Sequence, residues 1–429
     1  MFDSVIRSGL CWVNQAFIPT HVYVKDGKIA KLSSTDFEAK TAVDASGFFV
    51  IPGLIDPHTH FGLVGKNQIS SEGFHEGTKK ALRGGMTTII DFLEPCQSVN
   101  DILHAFHMRK EAAMHSHCDY TFHACLKEPQ DSLESIVETV SRLSLKSIKV
   151  FTTYSESNRQ ISDPSLYQLL KVTKAKDILV TAHIENDELI IKDPTLPYPM
   201  LGQSRPTQAE TLEALKLASY VKQTQSQLYM VHVSSGQTVV ELIKKYPELI
   251  HSSFHLESCP HYFTFHDSVY TKPNGYLYVM APPLRSPLEQ ELLIQNFPSI
   301  ETIGTDHCHY PAETKHKTHL AEIPYGVGGI EHSFAILYTQ FGNQVIDKMS
   351  RHVAKLFGLQ RKGQIAEGFD ADLVLFQKID PTPIRSSEED IYTGQSVNIK
   401  IQQTILRGIT VMKDSRVNPH KGQFIGGMR

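Results

Sequence analysis

Two histidines one residue apart, His58 and His60, close the run Ile55-Asp56-Pro57-His58-Thr59-His60-Phe61, which is entered through the apolar residues Phe48-Phe49-Val50-Ile51. In an extended chain residues i and i+2 project to one side, so both imidazoles face the same way at a strand end. Two nitrogens so placed suit one metal ion, with Asp56 as a neighbouring oxygen ligand or an orienting group. Further along, single metal-competent residues sit in or just after other apolar runs: Lys149, His183, His232 and Asp306. Each alone has a plain structural explanation: a satisfied histidine, a lysine reaching out of its strand, an aspartate in a turn beside Gly304. Their joint occurrence at one end of several strands favours a shared site. Lys149 is the sharpest case, because it stands inside Ser147-Ile148-Lys149-Val150-Phe151, where an unpaired ammonium is expensive to bury. A carboxylated nitrogen (N6-carboxylysine, formed with CO2) turns that cation into an anionic ligand able to bridge two metals.

The elements that must position these groups follow from the texture of the chain. Short extended segments come first, Ser4–Arg7, Gln15–Ile18, His21–Lys25 and Lys28–Leu32, with Asp26-Gly27 as a hairpin turn between the last two. Eight strand-like apolar runs then alternate with amphipathic stretches: Phe49–Asp56, Thr87–Phe92, Tyr120–Cys125, Ser147–Phe151, Ile178–His183, Gln227–Val233, Ser253–Glu257 and Glu301–Thr305. One helix declares itself at Pro206, with Thr207 and Glu210 at capping-box spacing and Leu212, Leu215 and Val221 on one face. Eight strands alternating with helices fit an α/β fold of the (β/α)8 TIM-like barrel type, whose chemistry sits where strands end. After about Gly363 short strands return, at Asp372–Phe376, Ser396–Ile401 and Gln403–Met412. Residues 1–51 and 363–429 are therefore expected to form one discontinuous β-sandwich domain, beside a barrel of residues 52–362.

Composition narrows the partners. Of 429 residues 41% are apolar and 21% charged, and a net charge of −4 offers neither a nucleic-acid footprint nor a polybasic membrane patch. No apolar run reaches the length of a membrane span. The six cysteines (Cys11, Cys96, Cys118, Cys125, Cys259 and Cys308) form no Cys-x-x-Cys and read as reduced thiols. With no cationic start and no long apolar leader, the expected location is cytoplasmic.

The motifs together resemble the amidohydrolase superfamily, and within it the cyclic amidases: dihydropyrimidinase, hydantoinase, dihydroorotase and allantoinase. The resemblance runs through Pro52-Gly53-Leu54-Ile55-Asp56-Pro57-His58-Thr59-His60, Gly84-Gly85-Met86-Thr87-Thr88, Lys149-Val150-Phe151 and His183-Ile184-Glu185-Asn186. It continues in Glu257-Ser258-Cys259-Pro260, Pro282-Pro283-Leu284-Arg285, Gly304-Thr305-Asp306-His307 and the segment from Lys362 to Leu373. It implies two divalent ions, usually zinc. His58, His60, carboxylated Lys149 and Asp306 would hold the buried ion, and Lys149, His183 and His232 the more exposed one. A hydroxide bridging the ions would attack a ring amide carbonyl, with Asp306 carrying its proton to the departing nitrogen. The product is an N-carbamoyl or related open-chain acid.

Three positions speak to the substrate. Dihydroorotases typically carry an arginine directly after the histidine pair, where this chain has Phe61. Tyr154, five residues after Lys149, matches the tyrosine that hydantoinases and dihydropyrimidinases are thought to use for oxyanion stabilisation. The segments Tyr278–Arg285 and Gly326–Glu331 resemble the substrate-amide segments of that branch, where contacts run largely through the backbone. Ala281 stands where serine is usual and Gly328 where asparagine is frequent. Cys259-Pro260-His261-Tyr262 carries a histidine where hydantoinases commonly have glutamine, and the C-terminal segment is shorter than in typical dihydropyrimidinases. Loops around Leu63–Ile69 and Leu93–Gln97 are expected to form the side-chain pocket, with Leu63, Phe61 and Leu93 suiting an apolar or small substituent. The expectation is thus a dihydropyrimidinase- or hydantoinase-like enzyme acting on a small cyclic amide. Dihydroorotase or allantoinase activity is the alternative, and a non-catalytic dihydropyrimidinase-like scaffold a further one. The resemblance also implies a homotetramer or homodimer.

Overall fold

The computed structural model describes residues 1–65, 69–386 and 390–426. Five strands open the chain: β1 (Phe2–Val13), β2 (Ala16–Lys25), β3 (Lys28–Ser33), β4 (Ala39–Asp44) and β5 (Phe49–Pro52). Eight more follow at intervals filled by helices: β6 (Leu54–Thr59), β7 (Met86–Phe92), β8 (Asp119–Cys125), β9 (Ser147–Phe151), β10 (Leu179–His183), β11 (Leu228–Met230), β12 (Phe254–Ser258) and β13 (Thr302–Ile303). They pair in sequence order, all parallel. A bridge between Thr59 and His307, with the His60 N–H donating to the His307 carbonyl at 2.9 Å, brings the first strand back to the last. This is a (β/α)8 barrel. All seven residues of β7 and of β8, and all five of β10 and of β12, are buried, as strands covered by helices on one face and by the barrel interior on the other require.

Four last strands, β14 (Leu373–Pro383), β15 (Ser396–Leu406), β16 (Ile409–Lys413) and β17 (Arg416–Val417), join β1–β5 in one nine-stranded mixed sheet. Its N-terminal and C-terminal strands meet where β5 pairs antiparallel with β14 and parallel with β1. Ile6, Val22, Val24, Val50, Leu373 and Leu375 belong to its own core.

Several strand limits differ from those the pattern suggests. The apolar run Phe49–Asp56 is two strands in two sheets, divided at Gly53. A side chain there would collide with Thr87 and Asp372, so the backbone passes from sheet to barrel through a gap only glycine fits. The barrel strand itself continues through Pro57 and His58. At the other end, Gln403–Met412 is divided between β15 and β16 by a turn at Arg407 and Gly408, both at positive φ, as a two-residue hairpin demands. The helix Thr207–Thr224 begins after Pro206 without a side-chain cap. Glu210 points inward instead, accepting hydrogen bonds from Ser234 and Ser235 and pairing with Arg285. The buried face is Ala214, Leu217, Ala218 and Val221, whereas Leu212 is exposed. Among the described residues no helix is long and apolar enough to cross a membrane.

Candidate metal centre and its cavity

The carboxyl ends of the barrel strands open into a cavity of about 610 Å³, within the range of small-molecule sites. His58 lies near the end of β6 and His60 just beyond it. Lys149 is in mid-β9, His183 ends β10, His232 follows β11 and Asp306 follows β13. All six line this cavity. Asp306 Oδ1 stands 3.2 Å from His58 Nε2 and 3.1 Å from His60 Nε2, three ligand atoms converging on one point. The His183 and His232 rings lie 4.5 Å apart between centroids, and His232 is 5.4 Å from His58. His232 (φ 41°), Asp306 (φ 50°) and Tyr154 (φ 71°) all occupy the left-handed region. Such conformations persist in non-glycine residues only where the surroundings enforce them, and they concentrate at functional sites.

Buried carboxylates aim these side chains. Glu257, at the end of β12, accepts from His58 Nδ1 at 2.7 Å, from the His232 N–H at 3.0 Å and from the Tyr229 hydroxyl at 2.7 Å. With Nδ1–H committed to Glu257, His58 has the lone pair of Nε2 free for an ion held between it and Asp306. Glu185 does the same for His183, bonding Nε2 at 2.6 Å and pairing in turn with Arg205. Asp56 is an orienting group. It accepts from the backbone N–H of His58 and of Thr305 at 3.0 Å each, tying the first strand end to the last, and burial pushes it up to about 7. Sequence reasoning passed over Glu257, Glu185 and Arg205 as site residues. The signal for the first two was present: each is a charged residue in or just after a barrel strand, where the ligands themselves lie.

The protonation states suit a metal. Burial pushes His183 down to about 4 and His232 well below its ordinary range, so both are neutral imidazoles with a lone pair to give. His232 Nδ1 is buried with no hydrogen-bond partner among the described residues. Burial alone would raise Asp306, but the His58 and His60 imidazoles outweigh it and hold the carboxyl well below the usual range. The Lys149 side chain is buried, and its nitrogen makes no hydrogen bond or ion pair among the described residues. Its neighbours are the rings of Phe92 and Phe151, 5.3 and 5.2 Å from their centroids. Burial pushes this amine down to about 8, against the pull of Glu257 and Asp306. An amine so held is partly unprotonated near neutrality and can add CO2. Imidazole nitrogens, carboxylate oxygens and a modifiable lysine make a donor set that fits divalent zinc and its neighbours.

Tyr154 and Ala281 also line the cavity. The Tyr154 ring packs against His183 at 5.1 Å and under the Arg205 guanidinium at 4.9 Å, and burial raises its phenol, so it remains a donor. Gly328 stands behind the wall, facing His309, while its neighbour Gly326 reaches the cavity. Phe61 is a clear departure from expectation. It is fully buried, packed on Phe74 and His307, and contributes nothing to the cavity. Leu63, Val64, Gly65, Leu93, Glu94 and Pro95 do line it, whereas positions 66–68 of the first expected pocket loop lie outside the described residues.

The chain matches the model described as "Amidohydrolase family" over residues 49–411. A D-hydantoinase of Geobacillus stearothermophilus is 30% identical, with 98% of this chain and 96% of that protein covered. A crystal structure of D-hydantoinase superposes with a TM-score of 0.93 at 29% identity, covering 100% of this chain and 99% of that one. That of dihydropyrimidinase from Brevibacillus agri NCHU1002 gives 0.90 at 27% identity, with 100% and 99% covered.

Proposed function

Since the chain belongs to the amidohydrolase family and is a hydantoinase-like hydrolase of the cyclic-amidase group, we propose that it opens a dihydropyrimidine or hydantoin ring to an N-carbamoyl amino acid at a centre of two divalent ions. His58, His60 and Asp306, with a carboxylated Lys149, would hold one ion; Lys149, His183 and His232 would hold the other. Bound there, zinc supplies a water of lowered pKa and a Lewis acid for the ring carbonyl. The chain's own residues do the rest. Asp306 takes the proton of the attacking water and returns it to the ring nitrogen as the C–N bond breaks. Its low pKa keeps it in the basic form before attack. Tyr154, held protonated, donates to the oxygen of the tetrahedral intermediate. Ala281 and the backbone at Gly326 orient the ring amides, with Gly328 supporting that wall from behind.

One observation carries this reading. Six metal-competent side chains from five barrel strands converge on one cavity, and the lysine among them has no counter-ion among the described residues. The six free, buried cysteines support a reducing, cytoplasmic setting. A homotetramer or homodimer is part of the same proposal, and sedimentation would test it. The functional test is ring opening of dihydrouracil, hydantoin, allantoin and dihydroorotate by zinc-reconstituted protein, with Lys149→Ala as control. Opening of dihydrouracil or hydantoin, lost in the variant, is expected. Preference for dihydroorotate or allantoin would move the enzyme to another branch of the family. Inertness toward all four with metal bound would sink the proposed substrate class.

A further inference from the structure

Besides Lys149, one further cation of the cavity lining has no partner among the described residues. Arg109 is paired with Asp91, Lys192 with Asp187 at 2.5 Å and Arg205 with Glu185. Arg159 also lines the cavity and is partly buried, yet its guanidinium makes no hydrogen bond or ion pair among the described residues. The acids of the same lining do not answer it. Glu156 lies 4.0 Å from Lys192, Asp193 accepts from the N–H and hydroxyl of Thr195, and Glu94 is exposed with no ion pair to Arg159.

Arg159 is not carried on a loose loop. The segment after β9 turns at Tyr154 (φ 71°) and again at Asn158 (φ 53°) around a single helical turn, Ser155–Ser157. The Arg159 N–H donates to the Tyr154 carbonyl at 3.2 Å, and Ile161 N–H returns to the Phe151 carbonyl at 3.0 Å. The Gln160 amide holds the Thr152 carbonyl at 2.9 Å, and Asp187 accepts from Thr153 and Ser155. The loop that sets Tyr154 therefore sets Arg159 as well. Its charge is felt by Tyr154, Cys125 and Tyr310, which come from three different strand ends. Burial raises all three groups and the guanidinium works against that rise. The same cavity is lined by the apolar Leu63, Phe151, Ile190 and Leu320, a setting in which an arginine–carboxylate pair gains strength and geometric definition.

We propose that Arg159 is the specificity-determining residue for a carboxylate on the substrate: the natural cyclic amide carries an anionic group on a short arm that pairs with this guanidinium. The inference rests on the cyclic-amide reading and names the substrate class within it. It also accounts for the position after the histidine pair, where Phe61 faces the core and has no part in reading a charge. A carboxylate held at Arg159 fixes the ring on the loop that carries Tyr154, so the same contact that selects the substrate presents its carbonyl.

The test compares acid and neutral amide forms of two rings, hydantoin-5-acetic acid and dihydrouracil-6-acetic acid, with zinc-loaded wild type, Arg159→Gln and Arg159→Lys. The readout is the ratio of kcat/KM for acid over amide. For at least one ring, wild type should favour the acid by about tenfold or more, the scale of a charge-assisted hydrogen bond. Arg159→Gln should bring that ratio close to one, mainly through KM, and Arg159→Lys should restore part of it. A wild-type ratio of one or less for both rings, or a ratio that Arg159→Gln leaves in place, overturns the assignment while the cyclic-amide reading stands. Failure to open any ring, the parent hydantoin and dihydrouracil included, overturns that reading and this inference with it.

Discussion

Two buried lysines at opposite ends of the barrel show what the fold does with charge. Lys149, at the cavity end, has aromatic rings for neighbours and no counter-ion among the described residues, and burial pushes it down to about 8. Lys362, at the other end, lies 2.6 Å from Asp372, 2.7 Å from Asp119 and 3.1 Å from Asp370. Burial works against its ammonium too, but the three carboxylates outweigh it and its pKa is raised. Asp119 begins β8 and also receives Arg407 from the turn after β15 and the Gln423 N–H from the C-terminal segment. That cluster ties barrel, mixed sheet and tail together. A buried lysine that is satisfied is structural; one left unsatisfied at a site of converging ligands is kept for chemistry.

The comparison breaks most visibly by removing each nitrogen in turn. If Lys149 is the ligand common to both ions, as proposed, Lys149→Met in zinc-supplied protein should lower kcat/KM by about a thousandfold or more, and metal analysis should find fewer than two ions per chain. Lys362→Met should do the reverse. Asp372 is left buried without its cation, while Asp119 and Asp370 keep Arg407 and Arg361. The change should therefore cost about 3–5 kcal/mol of stability, read by denaturant unfolding, while turnover per folded molecule stays near that of wild type. Loss of activity without loss of stability in Lys362→Met would abolish the distinction.

A subtler test uses pH. The Lys149 amine is pushed down from 10.5 to about 8 on folding, so between those values the unfolded chain binds more protons than the folded one. Stability of the metal-free protein should therefore rise with pH across the window from about 8 to 10.5. Below about 8 the full penalty is present, on the order of 3 kcal/mol. Lys149→Met should flatten that slope and make the metal-free protein more stable at neutral pH than wild type. An unchanged slope would mean that the amine already has a partner.

Much of this was legible in the residues. The ligand candidates stand at strand ends, and strand ends in a barrel are announced by short apolar runs with turn residues beyond them. The eight runs were readable for that reason, and Lys149 was conspicuous because no apolar strand tolerates a bare ammonium without cause. The parts that were not legible depend on direction rather than type. Phe61 continues the alternation of His58 and His60, yet its ring turns to Phe74 and His307, because Gly77 leaves room for it in the helix layer. Glu210 has capping-box spacing, yet Arg285 and Ser234, which lie far along the chain, draw it inward. Gly53 divides one apolar run between two sheets, and only the partner strands reveal it. Long-range partners decide such cases, and a single sequence does not contain their geometry.

The last prediction concerns the acids rather than the lysines. At the far end the aspartates neutralise Lys362, whereas at the cavity end Glu257 ignores Lys149 as a bonding partner and holds His58 Nδ1 at 2.7 Å. If its task is to fix the tautomer and direction of a ligand, Glu257→Gln should leave the fold intact, since an amide of the same shape still accepts from His58. The weaker acceptor makes His58 a poorer donor, and affinity for zinc should fall by about tenfold to a hundredfold, measured by competition with a chelator. The Asp372→Asn change at the far end should leave zinc affinity within about twofold and appear instead in unfolding, where a buried ion pair has lost one partner. Equal zinc affinity in Glu257→Gln and wild type would mean that both ends use carboxylates in the same way, as counter-charges for the fold. The contrast between them would then rest on Lys149 alone.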